Sequence, residues 1–376
     1  MKKFDVAIAG GGLIGASIAL ELARAGLRVG VFDRGEMGRE ASWAGAGILS
    51  PAPESAAMVP LVALGKASMA LYPDFIKMVE EISGQSTGYR PTGTLQALFT
   101  RNAREELSTV IALHHGLGLK AEALSAEDAR ELEPALSEEI EAGVLRPDEA
   151  SVDNRLLTPA VCEAAHRTGV TMFPSSQITG IWREHGRCAG LQIGAENVAA
   201  RWTIVAAGCF SAEIAGVAPF APVRPAKGQI ASLRHESLKI DRVLWSENIY
   251  LVPRDDGRIV AGATVEHVGF DKTLTAGGLQ KVFAGAIELV PALAEARVEE
   301  TWAGLRPDSP DHLPILGPTD IDGLLIATGH FRSGFLLTPI TARLMREWIT
   351  EQRVGVDWER FSPMRFQSAS AFRARS

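Results

Sequence analysis

Short apolar runs bounded by turn residues alternate with stretches whose apolar positions recur every three or four residues, and this alternation predicts a chain of mixed strands and helices. Residues 5–9 read as a strand, 13–25 as a helix and 28–32 as a second strand. A longer helical pattern covers 58–82, with Leu61, Leu64, Met69, Phe75, Met78 and Val79 in phase. A strand at 93–99 precedes helices rich in Glu, Ala and Arg that run to Leu136. A helix over 156–168 stops at Gly169. Strands follow at 171–173, 178–182, 202–207, 228–233, 249–253 and 258–264, the last two joined by the turn Arg254-Asp255-Asp256-Gly257. A strand at 324–328 leads through a glycine-flanked junction into a helix marked by Leu336, Ile340, Leu344 and Trp348.

The first strand–helix junction carries the sharpest chemistry. Gly10-Gly11-Gly12-Leu13-Ile14-Gly15 is a G-x-G-x-x-G run between strand and helix, and Asp33 ends the next strand, eighteen residues after Gly15. Gly10 permits the tight turn, Gly12 lets a pyrophosphate approach the backbone, and Gly15 lets helix and strand pack closely. The helix N-terminus offers N–H groups and partial positive charge to phosphates. Asp33 can accept both ribose hydroxyls, which disfavours a 2′-phosphate and leaves NAD and FAD as the dinucleotides. The small residues between Arg39 and Pro53 suit a loop that lies flat against a ligand, or a plain linker.

Composition narrows the partners. The 376 residues are 46% hydrophobic and 22% charged, with a net charge of −7 and no long basic run, so neither nucleic acid nor an anionic membrane is an expected partner. No run of about 20 apolar residues stands out as a membrane span. Lys2-Lys3 ahead of apolar residues superficially resembles a secretion signal, but the glycine motif claims that segment. Three scattered cysteines, Cys162, Cys188 and Cys209, fit a reducing, cytoplasmic setting. No His, Cys and acid spacing suits a metal, so no metal site is expected, and His114-His115 reads as surface.

The glycine fingerprint with Asp33 is joined by several further stretches. These are Ser42-Trp43-Ala44-Gly45-Ala46-Gly47, Arg224-Pro225-Ala226-Lys227-Gly228-Gln229, Tyr250-Leu251-Val252-Pro253-Arg254 and Gly262-Ala263-Thr264-Val265-Glu266. Trp302-Ala303-Gly304-Leu305-Arg306-Pro307, Leu313-Pro314-Ile315-Leu316-Gly317 and Gly329-His330-Phe331-Arg332-Ser333-Gly334 complete the set. In this order they resemble the D-amino acid oxidase family of flavoproteins, and within it the glycine oxidases of thiamine biosynthesis, over nearly the whole chain.

That resemblance implies an α/β fold with an α+β substrate part: a discontinuous Rossmann-like FAD-binding domain (1–85, 145–220 and 305–365), an antiparallel-sheet substrate-binding domain (86–144 and 221–304) and a tail, 366–376. It implies non-covalent FAD, since the covalent relatives use a late cysteine and none follows Cys209. The implied cofactor contacts are Gly10, Gly12, Leu13, Ile14, Gly15, Asp33 and Arg34, then Ala41, Ser42, Ala46, Gly47 and Ile48 on the flavin side. Ile178 would meet the adenosine, and His330, Phe331, Arg332, Ser333, Gly334, Phe335 and Leu336 would run past the isoalloxazine ring.

The implied reaction is oxidation of an amino acid at Cα to an imine, with dioxygen reduced to hydrogen peroxide. The implied partners are therefore a small amino acid and O2, with a homo-oligomer left open. Arg306 would bind the substrate carboxylate, Tyr250 would line the pocket, and Arg332 would lie near substrate and flavin. On the residues alone, Arg306 also suits an ion pair with Asp308, Tyr250 a place in the core, and Arg332 the surface. A helix beginning near Gly334 would direct N–H groups at the reduced ring. Val265 replaces a Met of some glycine oxidases, which bears on pocket size. A D-amino acid dehydrogenase or sarcosine oxidase-like enzyme is the sibling reading, and a non-catalytic nucleotide-binding protein the reading from another class.

Overall fold

A computed structural model describes residues 3–99 and 103–367; the end of the expected tail, 368–376, and Lys2 lie outside the described residues. Two eight-stranded sheets organise the chain. In the first, Leu324–Thr328, Glu196–Val205, Lys3–Ala9, Val29–Phe32 and Thr171–Phe173 pair in parallel in that order, and Ile315–Pro318 adds an antiparallel edge. Parallel strands need covered faces, which explains the largely apolar runs at 6–9, 29–32, 202–205 and 324–327. The Lys3–Ala9 strand shows the division: Val6 and Ile8 pack with the helices Leu13–Arg24, Val62–Ser83, Asn154–Arg167 and Thr338–Glu351, while Ala7 and Ala9 face Leu191, Val205 and Phe220.

Ala56–Ser83 is long and apolar enough to cross a membrane by length and composition. Its residues Leu61, Leu64, Tyr72, Phe75, Ile76 and Val79 are instead buried in this core.

The second sheet runs Arg297–Asp308, Arg224–Arg234, Arg258–Gly262, Tyr250–Pro253, Val243–Trp245, Thr94–Leu98, Ala142–Arg146 and Glu122–Ser125. It is antiparallel except where Val243–Trp245 pairs in parallel with Thr94–Leu98. Side chains alternate between its faces. Ala231, Leu233, Leu251 and Ala261 pack against the helix Ala276–Leu289. On the opposite face Ile230, Val252, Val260 and Trp302 pack against Ala44 and Ala46 of the glycine-rich loop.

That contact is reinforced by buried polar bonds between the two sheets' segments. Arg254 donates to Val152 O at 2.9 Å, to Ala46 O at 2.8 Å and to Asn154 Oδ1 at 3.0 Å. Burial lowers the Arg254 pKa to about 10, against the opposing pull of Asp153. Trp302 Nε1 donates to Ala44 O at 2.9 Å.

Several sequence expectations change here. The final helix begins at Thr338, not near Gly334, with Pro339 in its first turn, where proline's fixed φ and missing N–H are favoured. Residues 331–337 form turns, with Leu337 N bonded to Ser333 O at 2.9 Å. His114 is buried rather than on the surface: its Nδ1 meets Val110 O at 2.7 Å, and burial lowers its pKa.

Candidate active site

Between the sheets lies a cavity of about 700 Å³, within the range of ligand pockets. At one end the glycine loop closes tightly. Gly10 has φ +106°, and a Cβ there would strike Ala206 O. A Cβ at Gly15 would strike Gly10 O, so Gly15 serves packing and does not line the cavity. Not every N–H at this turn is free for a ligand. Gly11 N donates to Asp33 Oδ2 at 2.7 Å, and Leu13 N donates to Ser42 Oγ at 2.9 Å. Asp33 Oδ1 also accepts Gly35 N at 2.9 Å, and each carboxylate oxygen keeps a further lone pair for a hydroxyl.

Gly10, Gly12, Leu13, Ile14, Asp33, Arg34, Ala41, Ser42, Ala46, Gly47, Ile48 and Ile178 line the cavity, as does the whole run from His330 to Leu336. Arg34 stacks over Phe210, 3.7 Å from the ring centroid. His330 is buried, with Nε2 3.1 Å from Thr341 Oγ1, and burial drives its pKa down to about 3, so the ring is neutral. Cys209 also lines the cavity, with its thiol pushed up to about 12 by burial.

The other end is a face of the second sheet. The register places Tyr250 opposite Gly262, Ala226 opposite Arg306, Gly228 opposite Gly304 and Ile230 opposite Trp302. Opposed residues share a face, so Arg306 and Tyr250 project on the same side. Two glycines make their room. A Cβ at Gly228 would meet the Arg306 guanidinium, and one at Gly262 would meet the Tyr250 ring.

Arg306 Nη1 donates to Thr264 O at 3.1 Å, and its guanidinium also bonds the Tyr250 hydroxyl. Asp308 is not its partner; that carboxylate is bonded by His312 Nδ1 at 2.7 Å. Burial raises the Tyr250 pKa, opposed by Arg306. Trp245 lies against Tyr250, ring centroids 5.8 Å apart. Arg332 reaches the same end and is ion-paired with Glu54.

A profile of FAD dependent oxidoreductases matches residues 5–348. The chain belongs to the FAD dependent oxidoreductase family. It is 36% identical over 369 residues to the bifunctional protein ThiO/ThiG of Synechocystis sp., across 96% of this chain and 54% of that protein. It thus spans about half the length of the ThiO/ThiG relatives it matches. It is 32% identical over 364 residues to the glycine oxidase of Geobacillus kaustophilus, across 96% of each chain. The crystal structure of glycine oxidase from that organism superposes with a TM-score of 0.92 at 30% identity, covering 97% of this chain and 99% of that one.

The cavity of this FAD dependent oxidoreductase fits its cofactor. The side-chain-free turn at Gly10 and Gly12 admits a pyrophosphate, Asp33 retains acceptor capacity for a ribose, and the cavity continues from there to Arg306. Sequence reasoning missed four features. Ser42 caps Leu13 from 29 residues away. Arg254 holds the carbonyls behind the loop. Trp245 and Glu54 stand in the wall. Val265, by contrast, lines a separate depression with Asn248, Thr275 and Lys281, and does not border the main cavity.

Proposed function

We propose that this protein oxidises glycine and other small amines, such as sarcosine and small D-amino acids, to the imine and thence the 2-oxo acid, with O2 reduced to H2O2, and that it feeds thiazole synthesis for thiamine. The observation that carries this reading is Arg306: among the described residues it has no carboxylate partner, and it stands over the cavity beside Tyr250 on a rigid strand.

In this reading FAD, when bound, supplies the two-electron acceptor and the subsequent reduction of oxygen. The chain's own residues do the positioning. Arg306 clamps the substrate carboxylate through two parallel hydrogen bonds, which fixes its plane. Tyr250 adds a hydroxyl donor. Trp245 and the Tyr250 ring exclude water from the space beside Cα. Holding Cα in one orientation can supply about 7–11 kcal/mol of barrier lowering in favourable cases. The neutral His330 adds no charge to the opposite wall. Gly10, Gly12, Leu13, Ile14, Asp33 and Arg34 are assigned to the nucleotide half, and the 41–48 loop and the 330–336 run to the flavin half. The first sheet and its helices form the FAD-binding unit, and the second sheet forms the substrate unit.

Anaerobic mixing with glycine, followed by admission of air and a peroxide assay, tests the reading. Bleaching of the bound flavin and stoichiometric peroxide are expected; no bleaching with glycine, sarcosine or D-alanine overturns it. Turnover of L-alanine equal to glycine would refute the pose, because an L side chain has to occupy the flavin side.

A further inference from the structure

The substrate end of the cavity carries a second guanidinium that the clamp does not use. Arg332 and Glu54 both line the cavity, each about a third exposed, and Arg332 Nη1 is paired with Glu54 Oε2 across 278 residues of sequence. Both act on the Tyr250 hydroxyl alongside Arg306, and in opposite senses: Arg332 lowers its pKa and Glu54 raises it. All three charged groups line the same cavity. Arg306 has only neutral partners there, the Thr264 carbonyl and the Tyr250 hydroxyl. Among the described residues this end thus holds two guanidinium groups and one built-in carboxylate, which leaves Arg306 without a carboxylate partner.

We infer that Glu54 is a specificity-determining residue: its carboxylate occupies on Arg332 the place that a second acid group of a substrate would take, and so restricts the site to amines bearing one carboxylate. The inference rests on Arg306 as the first carboxylate's partner. A substrate with two carboxylates has to displace Glu54. It then exchanges one carboxylate for another on the same guanidinium, gains no pairing, and leaves Glu54 as an unpaired like charge beside it. A one-carboxylate amine disturbs none of this. Because the Glu54–Arg332 pair is partly exposed, it adds little to stability, so neutralising Glu54 changes selectivity more than fold.

The test uses the FAD-loaded enzyme and three substrates: glycine, iminodiacetate, and N-(carbamoylmethyl)glycine, which matches iminodiacetate in size but lacks its second charge. Glu54→Gln is expected to raise the ratio of kcat/KM for iminodiacetate over glycine by about tenfold or more, since Arg332 becomes free for a charge-assisted pair. The amide ratio should stay fixed. The gain should vanish in Glu54→Gln combined with Arg332→Gln. Binding gives a second readout: in Glu54→Gln, malonate should perturb the flavin spectrum at about tenfold lower concentration than in the parent, and acetate at the same concentration.

Arg332→Gln alone should steepen the preference for glycine over iminodiacetate. An unchanged iminodiacetate ratio with FAD retained overturns the inference, as does an equal rise for the amide, which would make space and not charge the determinant. If the parent enzyme oxidises none of these amines, the proposed reaction fails, while the malonate and acetate titrations still decide the role of Glu54.

Discussion

The two ends of the cavity are built from different material. At the glycine end the wall is a turn without side chains and one carboxylate held by two backbone N–H groups, all within residues 10–35. At the Arg306 end it is made of long side chains brought from distant segments, with glycines beneath them to make room. A site made of backbone is written in consecutive residues and tolerates no added atom. A site made of side chains is written in the parity of strands, and single changes weaken it without erasing it.

The largest expected effect is at the backbone end. Gly10→Val combines a φ of +106° with a collision against Ala206 O. It should cost at least about 3 kcal/mol and abolish FAD retention, read from the urea midpoint and the flavin absorbance per chain. A variant that keeps its flavin would break the contrast.

At the other end, Arg306→Ala should raise KM for glycine at least about a hundredfold, from two lost charge-assisted bonds of roughly 1.5–3 kcal/mol each, with FAD still bound. Arg306→Lys should recover part of this, because an ammonium lacks the planar fork. Steady-state kinetics with flavin content measured in parallel decide the point. Gly228→Ala sharpens the comparison: its Cβ presses on the movable tip of Arg306 rather than on backbone, so KM should rise by about tenfold and flavin content should stay constant.

The first motif was legible because its glycines are consecutive and its acid ends the next strand, although Gly15 packs and does not line the cavity. The run 228–233 also read as a strand, whereas Arg297–Asp308, the strand that carries Gly304 and Arg306, was not read from the sequence. Which strands pair, and hence that Arg306 and Tyr250 share a face, depends on register that no short window contains. The edge strand Glu122–Ser125 escaped because it is largely exposed and lacks an apolar face, and Arg187–Ile193 because its apolar stretch, 188–191, is short and includes Ala189 and Gly190. Glu54 carried no local signal, since its partner lies near the far end of the chain. His114 was misjudged because its Nδ1 bonds a carbonyl one helical turn back, a bond that helps a histidine to be buried.

Smaller effects separate the walls further. His330 has a folded pKa near 3, below its unfolded value of about 6.5. The unfolded chain therefore binds the extra proton between those values, and stability falls as pH drops from about 6.5 toward 3. His330→Gln should flatten that part of the urea-midpoint profile. Least of all should change at Cys209. With its pKa near 12, it should resist iodoacetamide at pH 8 in the native holoprotein, and acid precipitation should leave the flavin in the supernatant. Mass spectrometry and the colour of the pellet check both.

Arg254 also bears on recombination. The carbonyls of Ala46 and Val152 receive donors from an arginine in the turn that joins two strands of the second sheet, and each would cost about 1–3 kcal/mol if left buried and bare. A chimera that joins the first sheet of one relative to the second sheet of another is therefore expected to fold only where the arginine and its receiving loop arrive as a matched pair.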